Sequence, residues 1–138
     1  MTFSKEESPF PLKLKGEFVG NGKWKLTHPF AFNSKVFGRI DIPNRFVTDG
    51  ASIPKFLWSI VGSPWSGKYA EAAIPHDWGY HKQKLTRKQY DLVFLEAMKV
   101  LKVPFWKRRL MYQAVRIAGF IPWNKRVSKK SGVFGHFG

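Results

Sequence analysis

The sequence predicts an α+β fold, in which a small N-terminal antiparallel sheet is followed by three or four helices. From about residue 10 to residue 48, apolar and polar residues alternate in short runs, which is the period of a half-buried strand. After residue 49 the apolar spacing changes to three and four, the period of an amphipathic helix. A hydrophobic fraction of 43%, with 13 Phe and 6 Trp, supplies enough apolar surface for a core. We therefore expect a folded globular protein.

A length of 138 residues predicts a single domain. Within it, about residues 10–48 are expected to be β-rich, residues 50–120 helical and residues 121–138 a basic tail. The runs with the strand period are residues 12–15, 24–26 and 36–40, and they predict three or four antiparallel strands. Gly20-Asn21-Gly22 is a hairpin sequence, Asn33-Ser34 indicates a second turn, and Pro43 should end a strand because proline has no N–H to donate.

The helical part begins with a short segment at residues 55–61 and a longer one at residues 66–82. The next helix is expected to begin after Thr86, because Thr86 followed three residues later by Gln89 forms a capping box. It should end near Val103-Pro104. The residues that form its apolar face are Tyr90, Val93, Phe94, Ala97 and Leu101.

A last helix is predicted from Pro104 to about Ala118, with Pro104 in its first turn and Gly119 as its stop. Its partly inward residues are expected to be Phe105, Leu110, Tyr112, Val115 and Ile117. The tail beyond this helix is rich in Lys, Arg and Gly. Nothing in the sequence indicates an internal repeat.

The net charge of +15, from 24 Lys and Arg against 9 Asp and Glu, predicts an anionic partner or surface. Cell-wall polymer, lipid and nucleic acid all satisfy this requirement. The absence of cysteine excludes disulfides and thiolate metal sites. No signal-peptide pattern or apolar stretch of membrane-spanning length is visible, so the expected place of synthesis and residence is the cytoplasm.

The run His76-Asp77-Trp78-Gly79-Tyr80 places titratable groups in an apolar segment. In a helix, His76 and Tyr80 lie one turn apart on the same face, and Asp77 points about a quarter turn away. Asp91 is expected in the first turn of the next helix, and Asp49 lies in a loop that precedes both. A histidine oriented by a carboxylate can act as a general base, so these five residues form the candidate site.

Each of these residues also has a structural interpretation. His76 can be a core histidine that donates to a backbone carbonyl, and Asp77 can form a salt bridge with one of the many Lys and Arg residues. Asp49 fits a turn or a helix cap, and Asp91 fits the first turn of a helix, where the helix dipole favours an acid. Both interpretations remain open from the sequence.

Four ordered blocks between about Asp41 and Gly119 carry a family resemblance. They are Val47-Thr48-Asp49-Gly50-Ala51-Ser52-Ile53-Pro54, Ala72-Ala73-Ile74-Pro75-His76-Asp77-Trp78-Gly79-Tyr80, Asp91 with Phe94 and Glu96-Ala97-Met98, and Met111-Tyr112-Gln113-Ala114-Val115-Arg116 with Gly119. The chain resembles a small phage and prophage family known as domain of unknown function thirteen fifty-three. This resemblance implies a phage or prophage gene product, made in the host cytoplasm, with other virion proteins among its candidate partners.

The five residues from His76 to Tyr80 also resemble the His-Asp-x-x-Tyr helix of A-two-type phospholipases. This resemblance implies that His76 is the general base, Asp77 a calcium ligand, Tyr80 a hydrogen-bonding support and Asp91 the carboxylate that orients His76. The Gly-rich calcium loop of those enzymes has no clear counterpart here, because residues 61–67 lack its Tyr-Gly-x-Gly pattern. Asp49 is then the candidate for the missing oxygen ligand, since calcium accepts carboxylates from different loops.

The leading hypothesis is a hydrolase that acts on host-envelope lipid or cell-wall polymer, with calcium or another divalent metal as the candidate cofactor. A different metal hydrolase, with His76, Asp77, Asp49 and Asp91 as mixed ligands, is an alternative. The rival hypothesis is a non-catalytic virion-structural or binding module with an anionic partner such as DNA. In that case the His-Asp network locks two helices together.

Overall fold

The computed structural model describes residues 8–48 and 70–131, and in these ranges five strands precede four helices. This order confirms the predicted α+β class. The strands are β1 (Gly16–Gly20), β2 (Lys23–Leu26), β3 (Phe30–Ser34), β4 (Gly38–Ile42) and β5 (Val47–Thr48). The helices are α1 (Ala70–Lys82), α2 (Arg87–Val100), α3 (Phe105–Ala118) and α4 (Phe120–Ser131).

The strands form two small antiparallel sheets, where the sequence predicted one. β2 lies between β1 and β5 in the first sheet, and β3 pairs with β4 in the second. The hairpin predicted at Gly20-Asn21-Gly22 is confirmed, since all three residues have positive φ angles (94°, 54° and 72°), as a tight turn requires. β4 ends at Ile42, directly before Pro43, as predicted.

Two strand predictions are wrong in position. Residues 12–15 are not a strand, and β1 begins at Gly16. The second turn lies at residues 35–37, because Asn33 and Ser34 still pair with β4. The Ser34 hydroxyl accepts from the backbone N–H groups of Val36 (3.2 Å) and Phe37 (2.9 Å), so its side chain stabilises the turn that follows it.

The start of α2 matches its prediction in atomic detail. The Thr86 hydroxyl accepts from the Gln89 backbone N–H at 3.1 Å, and the Gln89 side chain accepts from the Thr86 backbone N–H at 2.9 Å. These two bonds are the expected capping box. The helix predicted at residues 55–61 lies outside the described residues.

Gly119 ends α3, but for a different reason from the one expected. Its φ and ψ angles are −65° and −16°, which is right-handed helical backbone, and a new helix begins at the next residue. The segment interpreted as a basic tail is therefore helical as far as Ser131. A Cβ at position 119 would overlap the Tyr80 hydroxyl and the Val115 carbonyl oxygen, so space requires the glycine here.

The core lies between the sheets and the inward faces of α1, α2 and α3. One apolar cluster joins Phe32 of β3 to Ala72 and Ala73 of α1 and to Phe94 of α2. A second cluster places Ile74 of α1 against Leu26, Phe30 and Ile42. The part of α1 before Gly79 is thus held on both sides.

The orientation of α3 differs from its prediction. Val115 is buried as expected, together with Met111, but Phe105 is 63% exposed and Ile117 is 72% exposed. Apolar residues occur on both faces of this helix, so the expectation that Phe105 and Ile117 point inward is wrong. Within residues 8–48 and 70–131, no helix has the length and apolar character needed to cross a membrane.

Candidate functional site

A histidine and a carboxylate meet in the centre of the helical part. His76 Nε2 on α1 lies 2.7 Å from Asp91 Oδ1 on α2, and both side chains are fully buried. Because a carboxylate only accepts hydrogen bonds, Nε2 carries the proton of this bond. Asp91 therefore fixes both the ring orientation and the tautomer of His76, which is the arrangement predicted for this pair.

Three more donors converge on Asp91. The Tyr80 hydroxyl donates to Oδ1 at 2.6 Å, Arg116 Nη1 donates to Oδ2 at 2.8 Å, and Arg87 Nη1 lies 3.5 Å from Oδ2. Burial by itself would raise the pKa of Asp91, but the hydrogen bond from His76, and its charge whenever the ring is protonated, oppose it. With the hydrogen bonds from Tyr80 and Arg116, they hold that pKa below its usual value. Asp91 is thus an ionised acceptor shared by three helices.

Arg87 and Arg116 are members of this network that the sequence reasoning missed. Arg87 Nη1 also donates to the backbone carbonyls of Val115 (3.1 Å) and Arg116 (3.2 Å), so it joins α2 to the last turn of α3. The spacing of Arg87 and Asp91, four residues apart on one helix, is a local signal for the first contact. The contact of Arg116 depends on tertiary packing, and no local pattern indicates it.

Tyr80 is enclosed by close contacts on several sides. Its ring lies 4.3 Å from the His76 ring and 5.2 Å from the Trp123 ring of α4, measured between centroids. Burial and the hydrogen bond to Asp91 raise the pKa of Tyr80, while Arg87 opposes this shift. Tyr80 is therefore a protonated donor that supports Asp91.

Gly79 explains how α1 approaches α2 so closely. A Cβ at this position would overlap the ring of Tyr90 on α2. The Tyr90 hydroxyl in turn accepts from the backbone N–H of Leu85 at 3.2 Å, in the connection between the two helices. The glycine of the His-Asp-x-Gly-Tyr run thus provides the space that brings His76 within reach of Asp91.

The second ring nitrogen of His76 has a different environment. Among the described residues, Nδ1 has no hydrogen-bond partner, although the atom is buried. The Phe94 ring lies 5.0 Å from the His76 ring, so part of the surroundings is apolar. With Nε2 protonated and neutral imidazole, Nδ1 keeps a lone pair that can accept a proton.

Asp77 lies on another side of α1 from this network. Arg126 Nη2 of α4 lies 3.4 Å from Asp77 Oδ1, and His81 Nε2 lies 3.9 Å from the same oxygen. The Asp77 side chain is fully buried. These contacts join α4 to α1 and match the structural interpretation of Asp77 as a salt-bridge partner.

The ligands expected for calcium are Asp77 and Asp49. Asp77 contacts the Arg126 guanidinium and the His81 imidazole, and in residues 8–48 and 70–131 no group of three or more His, Asp or Glu side chains could hold a metal ion. Asp49, the other expected ligand, lies outside the described residues. The described residues alone therefore do not assemble the six to eight oxygen ligands that calcium takes. The structure brings His76, Tyr80 and Asp91 together, and it separates Asp77 from them.

Comparison with known proteins places this chain among proteins without an assigned activity. A family described as "Protein of unknown function (DUF1353)" matches residues 24–115. The protein named "Uncharacterized protein y4jT" of Sinorhizobium fredii (strain NBRC 101917 / NGR234) is 33% identical over 96 residues, which are 70% of this chain and 29% of that relative. "Uncharacterized protein y4iH" of the same strain is 40% identical over 72 residues, which are 52% of this chain and 30% of that relative. The chain thus spans less than a third of either relative, and no solved structure matches it.

Proposed function

Because the chain belongs to the DUF1353 family, whose members bring no established activity, we propose from the site itself that it is a hydrolase with His76 as its general base. The observation that carries this proposal is the buried Nδ1 atom of His76, which has no hydrogen-bond partner among the described residues. Buried polar atoms are nearly always hydrogen-bonded, so a buried ring nitrogen without a partner requires a reason. A proton-accepting role supplies that reason.

The proposed reaction is the hydrolysis of an ester or amide. Nδ1 takes a proton from a water molecule while the water oxygen bonds to the carbonyl carbon. The bond from that carbon to the leaving oxygen or nitrogen then breaks, and the imidazolium returns its proton to the leaving group. The products are an acid and an alcohol or amine, and His76 ends the cycle in its starting state.

Asp91 and Tyr80 have positioning roles in this proposal. Asp91 keeps the proton of His76 on Nε2, which leaves Nδ1 as the basic atom, and its negative charge stabilises the imidazolium that forms. Tyr80 donates to the same carboxylate oxygen and holds it in place. The five-residue likeness to A-two-type phospholipases supports the same assignment of roles.

His76 is fully buried, so the proposal requires a local opening through which substrate reaches Nδ1. Substrate class follows from charge. An excess of 15 positive charges attracts anionic polymers and surfaces, and envelope lipid and cell-wall polymer both combine anionic groups with ester or amide bonds. A phage or prophage product that opens the host envelope would fit this chemistry.

The test is an assay of wild-type protein and a His76→Gln variant on anionic phospholipid vesicles and on peptidoglycan. The glutamine amide can still donate to Asp91 but has no basic lone pair, so we expect hydrolysis to fall by about 10²-fold or more. The control is His28→Ala, since His28 is exposed and bonds only to Thr27 among its described contacts. Equal turnover by wild type and His76→Gln, or no turnover by wild type on either substrate, would refute the proposal.

A non-catalytic role is the second candidate, and the complete burial of His76, Tyr80 and Asp91 favours it. In that case the network only locks α1, α2 and α3 together within a virion-structural or binding module. It predicts a wild-type protein that hydrolyses neither substrate, together with a large stability loss when Asp91 is replaced. Measuring unfolding and turnover on the same variants separates the two candidates.

A further inference from the structure

The outward side of α3 and α4 carries several large apolar side chains that are exposed to solvent. We propose that this side binds the surface of an anionic lipid membrane. Its large apolar residues, here called the outer face, are exposed by 39–72%, and they are Phe105, Trp106, Ile117, Phe120, Ile121 and Val127. Exposed apolar patches of this kind mark interaction sites.

The exposed side that carries the outer face runs along both helices, with Arg109, Gln113 and Asn124 among its apolar residues. One series of three- and four-residue steps, at positions 106, 109, 113, 117, 120, 124 and 127, is exposed at every member. Such steps keep residues on one side of a helix. The backbone N–H of Gly119 donates to the Val115 carbonyl and that of Trp123 to the Gly119 carbonyl, so the helical path passes from α3 into α4. The buried residues Met111 and Val115 lie on the opposite side.

The charge of this region favours an anionic surface. From residue 97 to residue 138 the chain has ten Lys and Arg and no Asp or Glu. Arg109 lies within the exposed series, and Lys125 is exposed near its end. A helix with Trp, Phe and Ile on one side and Lys or Arg beside them is suited to the boundary between lipid headgroups and acyl chains.

Lipid fits this face better than nucleic acid or a second copy of the chain. A nucleic-acid surface uses aromatic rings and cations, but Ile117, Ile121 and Val127 offer neither stacking nor charge. Two copies meeting through this face would bring exposed cations such as Arg109 and Lys125 close to the same residues of the other copy, which is unfavourable. A lipid surface accepts the apolar side chains and supplies the missing negative charge.

The test measures binding to sedimented vesicles of phosphatidylglycerol mixed with phosphatidylcholine, and to vesicles of phosphatidylcholine alone. The outer-face variant combines Ile117→Ala, Phe120→Ala and Ile121→Ala. The control variant combines Phe18→Ala, Val19→Ala and Val36→Ala, three residues of similar character that are 64%, 46% and 73% exposed on the β side of the molecule. Circular dichroism establishes that both variants are folded.

We expect wild-type protein to prefer the anionic vesicles, the outer-face variant to bind them about tenfold more weakly or worse, and the control variant to bind as wild type does. Wild-type binding by the outer-face variant, or no binding by wild type, would overturn the proposal. Binding to a short DNA duplex is measured in parallel. If the outer-face variant lost binding to this duplex but still bound vesicles as wild type does, the outer face would be a nucleic-acid surface instead. A wild-type dimer that becomes monomeric in the outer-face variant, without vesicle binding in either, would identify a self-association surface.

Membrane binding by the outer face does not depend on hydrolysis by His76. The His76→Gln variant keeps the outer face intact and should sediment with anionic vesicles as wild type does. Vesicle binding without turnover would therefore refute the proposed hydrolase and leave the membrane surface standing. If wild type and the outer-face variant bound and hydrolysed vesicles equally well, the hydrolase would stand and the membrane surface would be refuted.

Discussion

Replacing Asp91 with alanine removes the acceptor shared by four donors. Two of them, His76 Nε2–H and the Tyr80 hydroxyl, belong to fully buried side chains that no solvent can reach. Leaving a buried donor without an acceptor costs about 1–3 kcal/mol. Arg116 and Arg87 are 27% and 21% exposed, so water can partly compensate them. The expected loss in the free energy of unfolding is about 3–5 kcal/mol, as for other broken buried ion pairs.

Urea unfolding followed by circular dichroism measures this loss. The matched control is Asp41→Ala, because Asp41 also accepts from an arginine, Arg39, at 2.9 Å but its side chain is 70% exposed. An exposed pair of this kind contributes about 0–1 kcal/mol. If Asp91→Ala destabilised the protein by no more than Asp41→Ala does, the interpretation of Asp91 as the centre of a buried network would be wrong.

Three further predictions concern the same helices. The pKa of Asp91 is lower in the folded state than its unfolded value of about 4. The stabilising contribution of Asp91 is therefore complete above that pH and is lost as the pH falls through the folded pKa. When the pH is lowered below about 4, the free energy of unfolding measured with urea should fall less in Asp91→Asn than in wild type. Gly79→Ala should lower the free energy of unfolding, measured with urea, by about 1–3 kcal/mol because its Cβ overlaps the Tyr90 ring. If the effects of Gly79→Ala and Tyr90→Ala were simply additive, this contact would be contradicted. Arg126→Gln should increase amide hydrogen exchange in α4, because it weakens the contact with Asp77. The control Lys125→Gln changes an exposed residue and should leave this exchange unchanged. Equal exchange in both variants would show that the contact with Asp77 does not hold α4 in place.

The sequence predicted those parts of the fold that depend on local chemistry. The capping box of Thr86 and Gln89 and the turn at Asn21 involve residues at most three positions apart, so their geometry is encoded locally. The inward side of α3 was not predictable in this way, because this helix carries apolar residues on more than one side, Phe105 and Ile117 as well as Met111 and Val115. Periodicity shows that apolar sides exist, and only tertiary packing decides which of them is covered.

The candidate site also has parts that local spacing predicts and parts that depend on tertiary packing. The four-residue spacing of His76 and Tyr80 predicts that both side chains point to one side of α1, and the structure agrees. The contributions of Arg87 and Arg116 depend on how α3 lies against α2, which no spacing within one helix can indicate. His76 and Asp77 are neighbours in the sequence but have different partners in space. His76 contacts Asp91, whereas Asp77 lies beside Arg126 of α4.

Two glycines connect local sequence to this long-range geometry. A hydrogen bond of 2.7 Å between His76 and Asp91 requires the backbones of α1 and α2 to approach closely, and only a residue without a Cβ leaves room for the Tyr90 ring at position 79. Gly119 has the same role for α3, because a larger residue would displace the Tyr80 hydroxyl from Asp91. Gly119 has ordinary helical backbone angles, so flexibility does not explain it. The glycine after Trp78 and the glycine after Ala118 are therefore parts of the site, although neither has a side chain that could take part in chemistry.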